Sequence, residues 1–203
     1  MRFPQLPLLA IWGFVSFTSG QTVISTSHTD LGIDPQGSAQ INAGTFQQDA
    51  IVSFGNHQYV TFYTDRAYNQ RYVNLARRKI SPSVEAWETI TFRDYLQTTL
   101  DGHNQISMGI SGDGYIHLSF DHHDDPLRYR VSNANVAANV PSEWTISLFG
   151  PVINSLPGSS GPFRPVTYPR FELLPGGDLL FGCRIGRYVN PKQFVCLRAK
   201  LTC

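Results

Sequence analysis

The feature of the sequence that most constrains the fold is a pair of short apolar runs that recurs three times. Each copy consists of an apolar run, a turn that contains glycine and a second apolar run, and the copies cover residues 50–63, 106–120 and 170–181. Glycine beside Asn or Asp between apolar runs is typical of a β-hairpin, because such turns need positive φ angles. The pattern therefore predicts three hairpins and almost no helix.

Two further strands extend the repeat. Residues 72–80 and 127–132 predict a third strand in the first two copies, and residues 87–92 and 144–149 predict a fourth. Equivalent aromatic residues in these copies are about 56 residues apart. A four-stranded antiparallel unit of this length is typical of a β-propeller blade, since one such sheet cannot bury both faces alone. The sequence predicts an all-β fold, an incomplete β-propeller of about two to three four-stranded antiparallel blades; a β-sandwich is the alternative.

Residues 1–20 have the pattern of a secretory signal peptide. Arg2 precedes an apolar run that ends at Phe17, and small residues follow. That order is typical of a signal peptide, and the run is shorter than the roughly 20 apolar residues that a membrane span needs. A buried N-terminal helix is the alternative. We expect a secreted, extracellular protein with no membrane partner.

The rest of the chain divides into three predicted segments: a lead-in at 21–45, a partial β-propeller with blades 1 to 3 at 46–186, and an atypical tail at 187–203. The tail does not continue the blade pattern. The codons for its Arg-Tyr-Val sequence can contain a splice donor, and those for its Leu-Thr sequence can contain a branch point. One hypothesis is therefore that residues 187–203 are translated from an unspliced intron. The chain would then be an N-terminal fragment of a propeller, which usually has at least four blades.

Charge and cysteine content exclude several classes of protein. The chain has 16 Lys+Arg against 15 Asp+Glu, for a net charge of +1, which gives no electrostatic basis for binding nucleic acid. Its odd number of cysteines (Cys183, Cys196 and Cys203) leaves at least one without an internal partner, and their pairing is left open. No cofactor and no metal site are predicted. A structural calcium or zinc ion is left open, since the adjacent Asp124 and Asp125 could bind calcium.

Residues able to carry chemistry cluster in the second and third copies. Residues 101–104 (DGHN) precede the second copy, and residues 121–124 (DHHD) close its hairpin. Residues 168–170 (YPR) open the third copy, and residues 183–186 (CRIG) end its second strand. The ends of strands lie at the rims of blades, where propellers form ligand pockets.

The stretch from Asp101 to Arg130 resembles the signature of the secreted BNR-repeat family. That family includes β-propeller polysaccharide lyases, among them ulvan lyases and fungal rhamnose–glucuronate lyases. The resemblance covers about residues 46–187, and the block from His103 to His123 is its specific part. It implies β-elimination on a uronate-containing, rhamnose–glucuronate type glycan, so that the partner is an acidic polysaccharide. Such a site must neutralise the uronate carboxylate, remove the proton from C5 and protonate the oxygen that leaves C4.

The resemblance also implies roles for four catalytic residues. His103 and His123 become a histidine pair, of which one neutralises the carboxylate and one can be the base; which is which is left open. Tyr168 becomes the acid, and it can also serve as the base. Arg184 becomes the clamp for the carboxylate, because its guanidinium is always charged and binds carboxylates in a bidentate manner. Structural alternatives are a turn contact for His103, a packed ring for Tyr168 and a rim ion pair for Arg184.

Asn104 and His122 are predicted to contact the substrate. His122 and His123 would point to opposite faces of a continuous strand, so one of them faces the site. The family spacing favours His123, which leaves a structural hydrogen bond as the alternative for His122. Two other functions are kept open for the whole chain. One is a non-catalytic carbohydrate-binding β-propeller, and the other is a sialidase-like glycoside hydrolase, which would need a carboxylate pair or an arginine cluster that the sequence does not show.

Overall fold

A computed structural model describes the side chains of residues 28–37, 39–42, 44, 51–159, 161–163 and 165–186, and the backbone of residues 199–200. The chain divides into two compact units, residues 1–30 and 31–203. In the first unit, His28 Nε2 lies 2.7 Å from Asp30 Oδ1. The predicted signal peptide, Cys196, Cys203 and most of the predicted tail lie outside the described residues. Among the described residues, no helix is long and apolar enough to cross a membrane.

The second unit is built from antiparallel strands. They are β1 (Ile51–Phe54), β2 (His57–Ala67), β3 (Gln70–Lys79), β4 (Glu88–Gln97), β5 (Ser107–Ile110), β6 (Ile116–Ser119), β7 (His123–Asp125), β8 (Tyr129–Val131), β9 (Val166–Leu173), β10 (Leu179–Ile185) and β11 (Ala199–Lys200). They form sheets with the orders β1-β2-β3-β4, β5-β6-β8 and β11-β10-β9-β7. The predicted all-β class and the three predicted hairpins are confirmed.

The first sheet matches its prediction in all four strands. Each strand pairs with the next one along the chain, and Gly55 takes a φ of 54° in the first turn. Tyr59, Thr61 and Tyr63 of β2 are buried, as expected where alternate residues face the core. The sheet is therefore a regular four-stranded unit that ends at Gln97, shortly before the first candidate site residues.

The second sheet lacks its predicted fourth strand. Residues 146–148 form a short 3-10 helix, and an isolated bridge between Ser132 and Phe149 takes the place of a paired strand. Its aromatic residues pack on the first sheet: the Trp144 indole N–H donates to the Leu75 carbonyl at 3.3 Å, and the Phe149 ring lies 5.2 Å from that of Phe92. The prediction of a strand at 144–149 is wrong because this anchoring of two large rings prevails over strand pairing.

The segment after β6 crosses to another sheet. The sequence predicts that residues 121–124 close the second strand of this hairpin, and β6 does end just before them, at Ser119; Asp121 has a φ of 55°. Beyond this turn, β7 pairs with β9 of the third sheet. Asp124 also has a positive φ, of 57°, and Asp is one of the few non-glycine residues that tolerate this region. The two aspartates thus let the chain redirect β7.

The first strands of the three repeats lie side by side. β5 packs against both β1 and β9, and a cavity of about 220 Å³ is lined by residues of these strands and Leu179. The hairpin turns of the second and third sheets also meet, since the Gly112 N–H donates to the Gly177 carbonyl at 2.7 Å. A side chain at Gly112 would collide with the Gly177 backbone. This packing fixes the third sheet beside the second, and the candidate site residues come from both.

Candidate functional site

The four predicted catalytic residues come together around the third sheet. His123 lies on β7, Tyr168 on β9 and Arg184 on β10, and these three strands are neighbours. His123 and Arg184 are both paired in register with Thr167 of β9, so backbone hydrogen bonds determine their spacing. His103 reaches the same place from the turn before β5.

His103 and His123 form a stacked pair. Their ring centroids are 4.3 Å apart and their planes differ by 29°. Both side chains are partly exposed, His103 to 34% and His123 to 24%. Two imidazoles that are open to solvent and adjacent to each other can contact one ligand together.

Asp101, for which the sequence predicted no role, joins the two histidines. Its Oδ1 lies 2.5 Å from His103 Nδ1, and its Oδ2 lies 2.6 Å from His123 Nδ1. Burial would raise the pKa of this carboxyl, but the hydrogen bonds from the His103 backbone N–H and from both rings outweigh burial and lower the pKa to about 2. Asp101 is therefore an ionised acceptor near neutral pH. The Asp-x-His spacing was visible in the sequence, whereas the contact to His123 spans 22 residues.

Tyr168 lies beside both histidines. Its ring centroid is 6.0 Å from that of His103 and 6.2 Å from that of His123. The residue has a φ of 55°, which is uncommon for a bulky side chain and costs on the order of 1–3 kcal/mol. Such backbone conformations concentrate at functional sites. Tyr168 is thus placed within the histidine cluster at the expense of backbone strain.

Arg184 supplies the positive charge of the cluster. Its guanidinium carbon lies 5.2 Å from the centre of the Tyr168 ring. Its Nη2 donates to Asp124 Oδ1 at 2.8 Å and to Thr167 Oγ1 at 3.0 Å. The Nε atom is buried and has no hydrogen-bond partner among the described residues. The guanidinium is held in place from one side by the Asp124 ion pair.

Asn104 and His122, the two predicted substrate contacts, are buried. Asn104 is 0% exposed and His122 is 1% exposed. His122 Nε2 lies 2.9 Å from Ser119 Oγ, and burial, together with the charge of Arg128, lowers the pKa of His122 to about 3. This contact agrees with the structural alternative for His122. The assignment of either residue to substrate binding stays a prediction.

Asp101, His103 and His123 are also a group that could hold a metal ion, because their ligand atoms lie within 4.8 Å of one another. Histidine nitrogen and carboxylate oxygen are ligands that zinc accepts. In the present arrangement the two Nδ1 atoms lie 2.5 and 2.6 Å from the carboxylate oxygens, which are distances of charge-assisted hydrogen bonds. The contacts are those of hydrogen bonds.

Comparison with protein families assigns the chain to a class. A family model described as "BNR repeat-containing family member" matches residues 57–197. The match covers more than half of the sequence and includes His103, His123, Tyr168 and Arg184. The chain belongs to this family, and the family resemblance predicted from the sequence is confirmed.

Two solved structures with a similar fold are polysaccharide lyases. The polysaccharide lyase Uly1 is 24% identical, with a TM-score of 0.57, and the match covers 79% of this chain and 40% of that one. An ulvan lyase bound to -[GlcA(1-4)Rha3S]- is 17% identical, with a TM-score of 0.50, and the match covers 77% of this chain and 36% of that one. The chain therefore matches about two fifths of the length of these structures. Among curated proteins, no sequence matches significantly.

Proposed function

We propose that the chain is a polysaccharide lyase-like protein that cleaves uronate-containing glycans by β-elimination. The observation that carries the proposal is the cluster of His103, His123 and Tyr168 beside the Arg184 guanidinium. These are the groups that an elimination at a uronate needs: positive charge or a proton donor for the carboxylate, a base, and an acid. The fold supports it too, since one similar structure is that of an ulvan lyase bound to -[GlcA(1-4)Rha3S]-.

The proposed reaction has three parts. The uronate carboxylate binds against Arg184 and the Nε2–H of one histidine, which is in its doubly protonated form with Nδ1–H still bonded to Asp101, and this lowers the cost of negative charge at C5. A base, the second histidine or Tyr168, takes the C5 proton; the electron pair forms the C4=C5 double bond, and the bond from C4 to the glycosidic oxygen breaks. Tyr168 then gives a proton to that oxygen. The products are an unsaturated uronate and a free hydroxyl group.

The same proposal includes a propeller architecture. The side-by-side arrangement of β1, β5 and β9 around the 220 Å³ cavity supports a radial arrangement of the sheets. In a propeller the first strand of each blade lines the central axis, whereas a β-sandwich stacks two sheets face to face. Residues 46–186 would then be blades 1 to 3, of which the second lacks a regular fourth strand.

The proposed site of action is extracellular. The basic and apolar pattern of residues 1–20 supports secretion, and so does an acidic polysaccharide as substrate. Mass spectrometry of the protein from culture medium should find an N-terminus after Gly20. Retention of residues 1–20 in the secreted protein would contradict the proposed signal peptide.

The test of the activity is direct. The purified full chain is incubated with a rhamnose–glucuronate glycan, and ultraviolet absorbance of the new C4=C5 bond is followed over time. We expect absorbance to rise together with new reducing ends. New reducing ends without absorbance would instead indicate a hydrolase, and would overturn elimination.

A non-catalytic carbohydrate-binding protein is the second candidate. The contacts of Arg184 with Asp124 and Thr167 favour it, because a guanidinium that is already paired is less available to a uronate carboxylate. Calorimetry with the same glycan separates the two candidates. Binding without any unsaturated product would select this second function.

A further inference from the structure

One carboxylate contacts both histidines of the candidate site. Asp101 uses separate oxygens, Oδ1 for His103 and Oδ2 for His123, and both contacts are made to Nδ1. The histidines come from different places in the fold, one from the turn before β5 and the other from β7. Asp101 is thus the point where the two parts of the site are joined.

The chemistry of these contacts determines where the ring protons lie. An ionised carboxylate only accepts hydrogen bonds, so each Nδ1 must carry the hydrogen that it shares with Asp101. A neutral imidazole with its hydrogen on Nδ1 has its lone pair on Nε2. Both rings are thereby held as the Nδ1–H tautomer. The low pKa of Asp101 agrees with these contacts, because the carboxylate is ionised near neutral pH.

The backbone holds the carboxylate independently of the rings. Asp101 Oδ1 also accepts the His103 backbone N–H at 2.9 Å, and the Asp101 carbonyl accepts the Asn104 N–H at 3.1 Å. This local turn would account for the contact with His103 alone. It does not require the second oxygen to meet His123 in another sheet. The bridging contact therefore points to a role beyond the turn.

We propose that Asp101 is the positioning residue of the site, and that it fixes the Nδ1–H tautomer of both His103 and His123. With both orientations fixed by one anchor, the rings stack and direct their Nε2 atoms away from the carboxylate. The two tautomers follow from the geometry of these hydrogen bonds alone. Their consequence for turnover rests on the proposed lyase function, in which a base needs a lone pair on a defined ring nitrogen.

The primary test is nuclear magnetic resonance of the full chain labelled with ¹⁵N-histidine, recorded in EDTA at a pH where the rings are neutral. Long-range proton–nitrogen correlations distinguish the two tautomers, and His103→Gln and His123→Gln variants assign the signals. We expect Nδ1–H for both rings. An Nε2–H pattern for either ring in the wild-type chain would overturn the proposal, whether or not any variant folds.

Removing the carboxylate tests the cause. In Asp101→Asn we expect both rings to shift toward the Nε2–H form that unconstrained histidine favours, whereas Asp101→Glu should retain Nδ1–H on at least one ring. Asp113→Asn is the matched control, because Asp113 lies in an exposed turn and bonds to Ser111. Unchanged tautomers in a folded Asp101→Asn variant would overturn the role of Asp101.

Activity gives a readout that separates this proposal from the function itself. If the chain is a lyase, Asp101→Asn should lower kcat by roughly 100-fold or more with little change in KM, since loss of the carboxylate that orients a catalytic histidine is known to be costly. Equal kcat values in Asp101→Asn and wild type would overturn the positioning role. Absence of product from the wild-type chain would overturn the lyase function, while the tautomer result would stand.

Discussion

Tyr168 has the strongest structural signature of function among the candidate residues. Its backbone lies in the left-handed region, and its ring faces two imidazoles and a guanidinium. A packed aromatic residue in a strand needs neither feature, because hydrophobic packing can be reached with an ordinary backbone. The arrangement is instead that of a phenol placed beside two imidazoles and a fixed positive charge.

Replacing Tyr168 with Phe should remove the proposed acid and keep the packing of the ring. We expect formation of unsaturated product to fall by about 10²–10⁴-fold, the usual contribution of a positioned acid or base. Tyr72→Phe is the control, because Tyr72 also lies under an arginine, Arg93, at 5.5 Å, but outside the cluster. Initial rates by ultraviolet absorbance measure both variants. Retained activity in Tyr168→Phe would refute the assignment.

Arg184→Lys should keep the positive charge and lose the planar guanidinium. Since lysine cannot form the bidentate contact with a carboxylate, we expect KM for the glycan to rise about tenfold, a loss of roughly 1.4 kcal/mol of binding. Arg93→Lys serves as the control at an exposed position of β4. Steady-state kinetics measure both variants, and an unchanged KM in Arg184→Lys would argue against a carboxylate clamp.

The sequence predicted the four residues that meet in the structure, but not Asp101. His103, His123, Tyr168 and Arg184 were found through a resemblance whose specific block contains the histidines. Asp101 lies two residues before that block, at the start of the stretch that carries the resemblance, yet its role depends on a contact with His123, which exists only after β7 has crossed to the third sheet. A contact of that kind is determined by topology, and the local sequence does not encode it.

At the scale of elements, the hairpin signals in the sequence predicted strands well. They failed where the structure of a segment depends on its packing against another sheet. The first sheet follows its pattern in every strand because each partner is the next segment along the chain. The segment at 144–149 has the same kind of pattern, but Trp144 and Phe149 pack on the first sheet and the strand does not form. Whether such a segment forms a strand therefore depends on the surface of a sheet that lies far from it in the sequence.

The contact between β5 and β9 offers a test of element packing. A Cβ atom at Gly109 would lie 2.5 Å from Phe171 Cβ and 2.9 Å from Leu179 Cδ2. We expect Gly109→Ala to lower the free energy of unfolding by about 1–3 kcal/mol, as overpacked cores generally do. Gly176→Ala is the control, since a Cβ there meets nothing within 4 Å. Urea denaturation followed by fluorescence measures both, and equal stabilities would contradict this packing.

For the whole molecule, buried histidines predict sensitivity to acid. Burial lowers the pKa of His117 to about 4 and that of His122 to about 3, both below the ordinary 6.5. The unfolded chain therefore takes up protons as the pH falls below 6.5, while the folded chain does so only near pH 4 and 3. Folded stability should decrease across this window. The lowered pKa of Asp101, about 2, extends the loss to the range from about pH 4 down to 2.

Urea denaturation at pH 7 and pH 4.5 measures this effect. We expect His122 alone to account for a loss of about 2 kcal/mol in the free energy of unfolding between these pH values. His122→Gln should show a smaller loss, because glutamine does not titrate. His28→Gln, at an exposed position, should match the wild type. Identical pH dependence in His122→Gln and wild type would contradict the assignment.

The crossing of β7 has a consequence for how such a site can arise or disappear. β7 is the edge strand of the third sheet and also carries His123, so its pairing with β9 both joins the second repeat to the third sheet and places His123 in the candidate site. A mutation that only weakened the pairing of β7 with β9 would separate His123 from Asp101 without altering any side chain of the cluster. The candidate site is therefore formed by two neighbouring repeats together, and duplication of one repeat alone would copy only half of it.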